Sequence, residues 1–518
     1  MVSVEYSCRL AEYSVGQGQA YAEGYVMKYI STRNKNKTVS GAEAIAMGIS
    51  DEGGLFVPES FPKITKADRD KMAAMSYAER TAFVLSKYLD EFTYDEILEM
   101  VNKAYSRFDS DEVAPVVKLD DNLFVLELFH GPTYAFKDLA LTLLPYLLTA
   151  SKSKIGDSSS TLILVATSGD TGKAALEGFK DVDKTKIMVF YPSDGVSDMQ
   201  KMQMITQEGS NVEVVGIKGN FDDAQTAVKR VFTDAKVKAE LKKRNIELSS
   251  ANSINWGRLA PQIAYYISSY IDLVSSEEIS DGDKINFVVP TGNFGDILAG
   301  YYAYKMGLPI NKLIVASNKN KILSDFFHEG VYDVKRDFYK TASPSMDILI
   351  SSNLERLIFE ATGRNDKEVV KLYDDLKENK KFVFDVSKID EVFASGWADE
   401  EETADAIFET AEEYGYTTDT HTAVAMSVYY DYIDETADET VTVVLSTANP
   451  YKFPLFVYNS VTGKNKKLDA FKAAELLEAE IEIDRPDGLK NLKDKKVLHD
   501  KVVEKREIEN EVLKFAEK

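Results

Sequence analysis

Residues 161–218 read TLILVATSGDTGKAALEGFKDVDKTKIMVFYPSDGVSDMQKMQMITQEGSNVEVVGIK. Thr161–Thr167 is a short unbroken apolar run, the signature of a strand covered on both faces. Lys173–Lys180 opens a helix, Ile187–Tyr191 is a second strand, Val196–Gln207 a helix, Val212–Ile217 a third strand and Asp222–Phe232 another helix. Strands that alternate with helices predict βαβ units, a mostly parallel sheet and right-handed crossovers. Further apolar strands are expected at Ile285–Pro290, Leu313–Ser317 and Thr440–Ser446. The fold class is α/β, with parallel-rich sheets flanked by helices.

The chain has 518 residues, enough for two or three domains. A net charge of -23 argues against nucleic acid and anionic membrane as main partners, and no apolar run is long enough to span a bilayer. An anionic ligand on so acidic a protein needs a locally arranged set of donors. The single cysteine, Cys8, forms no intrachain disulfide and points to a reducing, cytoplasmic setting. Four histidines with no HExxH or CxxC leave little for a metal site, and none is expected.

Residues 1–26 lack periodicity and read as a flexible extension or an upstream start. Residues 27–115 read as a small N-terminal domain, with a turn and short strand at Gly53–Pro58 and helices at Ser40–Met47, Ala67–Leu89 and Tyr94–Arg107. Residues 116–240 form a smaller α/β domain and 241–518 a larger one. The latter holds a charged, helical stretch at Thr341–Tyr416 and exposed C-terminal helices after Lys464.

The segment 129–150, FHGPTYAFKDLALTLLPYLLTA, contains a lysine with unusual surroundings. Gly131 and Pro132 shape a tight loop, and the residues after Lys137 are almost continuously apolar, as in a buried helix that Pro145 bends. Lys137 thus stands where a loop enters a buried helix. Desolvation and the helix dipole both disfavour its ammonium form there. Such a lysine suits attack on a carbonyl to form a Schiff base; the alternative is a solvated lysine paired with Asp138. His130 is read either as a site residue or as a packed structural one.

Three strand ends carry polar loops, where open α/β sheets bind ligands. Strand 285–290 runs into Thr291, Gly292, Asn293, Phe294, Gly295 and Asp296 before a helix, a pattern suited to a phosphate cradle or to an ordinary glycine turn. Strand 161–167 runs into Ser168, Gly169, Asp170, Thr171, Gly172 and Lys173; Ala174 stands where an ATP P-loop needs Ser or Thr, so that motif is rejected. Strand 440–446 ends at Thr447, whose hydroxyl either forms a turn or hydrogen-bonds a ring nitrogen. A lysine, a phosphate cradle and a strand-end hydroxyl are the parts pyridoxal 5′-phosphate needs.

Seven segments in order, KYISTR, DEGGLFVP, ELFHGPTYAFKD, ATSGDTG, NSINWGR, PTGNFGD and STANPYKF, resemble the threonine synthase family. The resemblance spans Met27 to about Phe456 and is to the long bacterial and fungal form. It implies a fold type II pyridoxal-phosphate enzyme with a small N-terminal domain. It also implies that Lys137 holds the cofactor and serves as the catalytic base. Gly292, Asn293, Phe294, Gly295 and Asp296 would bind the 5′-phosphate, and Thr447, chosen over Ser446, would face the pyridine nitrogen. The implied substrate is O-phospho-L-homoserine, turned with water into L-threonine and phosphate as the last step of threonine biosynthesis. Ser168, Asp170, Thr171, Lys173, Asn252, Ser253, Asn255 and Arg258 are the candidate substrate ligands. Arg258 is preferred for the phosphate because a guanidinium offers a bidentate fork. A monomer or homodimer is expected. The alternatives are another lyase of the same fold (a serine or threonine dehydratase, or an amino-alcohol phospholyase) and a catalytically silent cofactor-binding relative.

Overall fold

The computed structural model describes residues 26–518 except 168, 194, 195 and 482, with the side chains of 221 and 222 also left aside. All but residue 26 of the expected N-terminal extension lies outside the described residues.

Two parallel-rich sheets form the body. The larger has six strands in the order Phe393–Trp397, Ile310–Ser317, Ile285–Pro290, Thr442–Ser446, Leu123–Glu127 and Val116–Asp120. All its pairings are parallel except that of Val116–Asp120 with Leu123–Glu127. The smaller sheet has five parallel strands in the order Val502–Glu504, Val212–Lys218, Thr185–Pro192, Ser160–Ala166 and Ile246–Ser249. The central strands are buried along nearly their whole length, as their continuous apolar runs require. A small antiparallel sheet, Asn34–Val39, Tyr29–Ser31 and Phe56–Pro58, belongs to the N-terminal region. It packs on the core helix Trp256–Ser275, where Trp256 meets the rings of Tyr29 and Tyr88 edge-on at 5.2 and 5.3 Å. No helix among the described residues is long and apolar enough to cross a membrane.

Several sequence expectations change. Ala67–Leu89 is not one helix but two, Lys66–Met72 and Tyr77–Ser86, because Ser76 and Glu79 form a capping box that starts the second. Pro145 does not bend a helix. It stands in the first turn of Leu144–Lys154, where no amide hydrogen bond is lost, after the short helix Asp138–Leu141 has ended. Strand Phe393–Trp397 lies inside the stretch expected to be helical, and Val502–Glu504 inside the expected C-terminal helices. Sheet membership also crosses the expected boundaries at 116 and 240. Strands 116–127 join the larger sheet, while Ile246–Ser249 and Val502–Glu504 join the smaller. Register with distant partners decides this, and it leaves no local trace.

One close contact ties the two ligand-facing elements together. In helix Asp170–Phe179, a β-carbon on Gly178 would lie 2.0 Å from the carbonyl oxygen of Leu141, the end of the helix that follows Lys137. Gly178→Ala is therefore expected to destabilise the protein by about 1–3 kcal/mol, the usual effect of overpacking. Denaturant unfolding would read this as a lower midpoint.

Candidate active site

Strands Ile285–Pro290, Thr442–Ser446 and Leu123–Glu127 are neighbours in the larger sheet. Their carboxyl ends deliver, in turn, the glycine loop, Thr447 and the loop that leads to Lys137. That last loop is laced to the end of strand 442–446: Phe136 N–H donates to Thr447 O (2.8 Å), and Asn449 N–H to Tyr134 O (3.1 Å).

Lys137 directly precedes helix Asp138–Leu141 and is 9% exposed. It makes no ion pair with Asp138. That carboxylate instead accepts from the amide and hydroxyl of Thr133, both at 2.7 Å, and Gly131 leaves it the room to do so. Lys137 Nζ donates to Ser345 Oγ at 3.0 Å. Burial lowers its pKa; Asp170 opposes the shift, and the cations Arg258 and Lys452 add to it.

Ser345 is anchored from behind. Its amide donates to His421 Nε2 (3.1 Å), so the imidazole proton must sit on Nδ1, which donates to Asp419 Oδ1 (2.8 Å). Asp419 also accepts from Thr422 Oγ1, and Thr422 Oγ1 accepts from the Thr447 amide (3.2 Å). The Ser446 hydroxyl is engaged with Tyr416 and Thr422, at 3.4 and 3.3 Å. Thr447 Oγ1 has no hydrogen-bond partner among the described residues.

The glycine loop has the geometry of an anion cradle. Phe294 adopts φ 65°, a left-handed conformation unusual for an aromatic residue, and starts helix Gly295–Met306 without a side-chain cap. The amides of Asn293, Phe294 and Gly295 meet no acceptor among the described residues. Gly292 is required, since a β-carbon there would sit 2.5 Å from Ser345 O. Asp296, in the first turn of the helix, accepts from the Ile297 amide (2.9 Å), and burial raises its pKa to about 6. Its backbone, not its carboxylate, is what suits it to an anion.

Asp170 and Lys452 form a fully buried ion pair at 2.8 Å. Burial opposes the Asp170 charge, but Lys452 and Lys137 outweigh it and hold the carboxyl well below the usual range. Lys452 also donates to Thr133 O (2.9 Å), on the Lys137 loop. The guanidinium of Arg258, a residue 4% exposed, makes one hydrogen bond among the described residues, to Ala251 O at 2.7 Å; its Nε has no partner and no carboxylate pairs with it there. A buried guanidinium left so open is suited to an incoming anion.

Not every candidate ligand reaches the site with a free group. Asn255 caps helix Trp256–Ser275, accepting from Gly257 N–H (2.8 Å) and donating to Ile45 O (3.0 Å), so both ends of its amide are already engaged. The Lys173 ammonium is taken by Gln207 (2.5 Å) and Glu177 (3.2 Å). Ser253 lies beside the glycine loop, Asn252 is exposed, and Thr171 is half-buried in the first turn of its helix. Ser168 lies outside the described residues. His130 bridges Asp109 (2.7 Å) and Glu127 (2.8 Å). Ser345, His421, Asp419 and Lys452 are not among the candidates that the sequence offers. Only Lys452 had a signal, as a lysine inside the STANPYKF segment.

Residues 28–105 match the family model for the threonine synthase N terminus, 109–384 that of pyridoxal-phosphate dependent enzymes, and 422–502 that of the threonine synthase C-terminal region. Threonine synthase of Pseudomonas aeruginosa is 39% identical over 458 residues, covering 88% of this chain and 94% of that protein. The chain belongs to the threonine synthase family. Among relatives of this family, human threonine synthase-like 1 is 40% identical over 450 residues; the match takes in 84% of this chain and 59% of that longer protein. The crystal structure of pyridoxal-phosphate-bound threonine synthase from Brucella melitensis superposes with a TM-score of 0.84 at 37% identity, covering 95% of this chain and all of that one. Membership of the threonine synthase family carries the fold type II architecture expected from the sequence.

The residues present fit pyridoxal phosphate. A buried lysine with a lowered pKa, and three amides and a hydroxyl without partners among the described residues, converge from adjacent strand ends. Because its pKa is lowered on folding, Lys137 destabilises the folded state fully where both states carry the proton, and by less and less as pH rises above the folded value. That burden ends above the ordinary lysine value of 10.5, where the unfolded chain also loses the proton. Cofactor-free Lys137→Met should thus be more stable than cofactor-free wild type near neutral pH. The gap should close as pH approaches 10.5. Thermal melting of both proteins across pH checks the sign.

Proposed function

We propose that this chain converts O-phospho-L-homoserine and water to L-threonine and phosphate, with pyridoxal 5′-phosphate held on Lys137. The observation that carries the reading is the meeting of a deprotonation-prone lysine with two separate anion-suited groups, the glycine-loop amides and the Arg258 guanidinium. A bisphosphorylated arrangement of this kind, cofactor phosphate on one side and substrate phosphate on the other, needs both.

The amides of Gly292–Asp296 would hold the cofactor phosphate, and Thr447 Oγ1 would meet the ring nitrogen with a neutral hydroxyl. When bound, pyridoxal phosphate supplies an electron sink that acidifies the protons on the substrate's α- and β-carbons. Lys137, displaced by the substrate amine, takes the α-proton and returns protons in later steps. Ser345 Oγ, 3.0 Å from Nζ, orients that amine. His421 and Asp419 keep Ser345 in place. Arg258 takes the substrate phosphate, and the Asp170–Lys452 pair fixes the loop that faces it. Water adds at the β-carbon once phosphate has left. The neighbouring readings, a dehydratase or a phospholyase, share Lys137 and the glycine loop; a silent cofactor binder shares them without turnover. The chain is taken to act as a monomer or homodimer in the cytoplasm, where a protein with one cysteine is at home.

Purified protein given O-phospho-L-homoserine should release phosphate and threonine in equal amounts, and Lys137→Ala should release neither. Phosphate accompanied by an oxo acid and ammonia would identify a lyase, and no turnover despite a bound cofactor would overturn the proposal. Arg258→Ala is expected to lower kcat/KM by about 10- to 150-fold, the scale of losing a charged hydrogen bond to an anion.

A further inference from the structure

The glycine loop does not hold its left-handed turn alone. Asn353, fully buried, donates from Nδ2 to Asn293 O (3.1 Å) and to Ser253 O (3.3 Å), and its own amide also donates to Asn293 O (3.0 Å). Ser351 Oγ donates to Gly292 O (2.9 Å). The loop's carbonyls are thereby drawn to one side, which leaves its amides facing the other. A β-carbon on Gly295 would lie 3.3 Å from Asn353 Nδ2, so the two are packed directly together.

Which end of the Asn353 amide faces the loop is decided by Arg356. A guanidinium only donates, and Arg356 Nη1 donates to Asn353 Oδ1, so Nδ2 must point at the loop. Arg356 is itself fully buried and has no ion pair among the described residues. Its Nε and Nη2 donate to main-chain carbonyls: both to Phe56 O (3.0 Å each), and Nη2 also to Ile254 O (2.6 Å). Phe56 belongs to the N-terminal sheet. The adjacent Glu355 is gripped from the same sheet region by Arg33 (2.7 Å) and Thr32 (2.6 Å).

We propose that Asn353 and Arg356 are positioning residues that set the phosphate-binding form of the glycine loop, and that through Phe56 they make this form depend on the N-terminal domain. This rests on the reading of residues 292–296 as the cofactor's phosphate site. Because the pair acts on the phosphate end alone, it should distinguish pyridoxal phosphate from pyridoxal, which lacks the phosphate but can still react with Lys137.

The test titrates cofactor-free protein with each aldehyde, following Schiff-base absorbance, with Lys137→Ala as blank. Wild type should prefer pyridoxal phosphate strongly. Asn353→Asp keeps the size and an acceptor for Arg356 but replaces the donor with a negative charge; Asn353→Leu removes the amide. Both should weaken pyridoxal phosphate by about tenfold or more, the effect of about one good hydrogen bond, and leave pyridoxal unchanged. Arg356→Lys, which keeps the charge but cannot span Phe56 and Asn353, should show the same selective loss. Melting of the cofactor-free variants identifies any that do not fold, and Asn353→Asp is the mildest of the three. Variants that keep the wild-type preference, or that lose both aldehydes equally, overturn the proposal while the phosphate reading stands. A wild type without preference removes the phosphate reading, and the proposal with it.

Discussion

Parallel pairing of Ile285–Pro290 with Thr442–Ser446, and of Thr442–Ser446 with Leu123–Glu127, points three carboxyl ends in one direction at the spacing of adjacent strands. From those ends come the unpartnered amides of the glycine loop, the Thr447 hydroxyl and, after a ten-residue detour pinned by Phe136 and Asn449, the amine of Lys137. The site's geometry follows from this register. A slip of one residue in the middle strand would turn Thr447 to the opposite face and bring Ser446, now tied to Tyr416 and Thr422, in its place.

Electrostatics at this junction runs against the protein as a whole. A chain of net charge -23 gathers Lys137, Arg258 and Lys452 around one space, with Asp170 and Asp296 as the acidic groups coupled to Lys137. Asp170 is committed to Lys452, and burial raises the Asp296 pKa to about 6. Lys137 and Arg258 are left short of counter-charge. Buried cations without partners are costly unless a ligand supplies the missing anion, which is how a site can favour phosphorylated ligands in an acidic protein. The Asp170–Lys452 pair has a different part. Breaking one member of such a buried pair typically costs about 3–5 kcal/mol, and this one ties the loop after Ser160–Ala166 to the Lys137 loop through Thr133.

Around this center, polar groups are held by partners from distant segments. Ser345 is fixed by His421 and Asp419 while its own carbonyl packs on Gly292, so one residue joins the lysine to the glycine loop. On the far side of that loop, Asn353 and Arg356 lead to Phe56 in the N-terminal sheet. The N-terminal domain is thus part of the site's support, with Trp256 packed against Tyr29 and Tyr88 as its apolar counterpart.

The sequence by itself determined what depends on neighbours along the chain. Period and apolar runs mark the buried strands, glycines mark the turns, and the seven ordered segments carry the family. Lys137 stood out because a loop and a buried helix meet there within a few residues. The Ser76 capping box is equally local, as are those at Thr65 and Asp399. Tertiary structure decided the rest, for the reason that a polar side chain takes its role from whatever it reaches. Lys173 and Lys452 look alike in sequence. One folds along its own helix to Glu177, while the other crosses the core to Asp170, 282 residues earlier. Asn255 and Asn353 differ in the same way: one caps a helix, the other holds the glycine loop. Hydrogen bonds work over about 3 Å of space and without regard to separation in sequence, so only the folded chain could assign them.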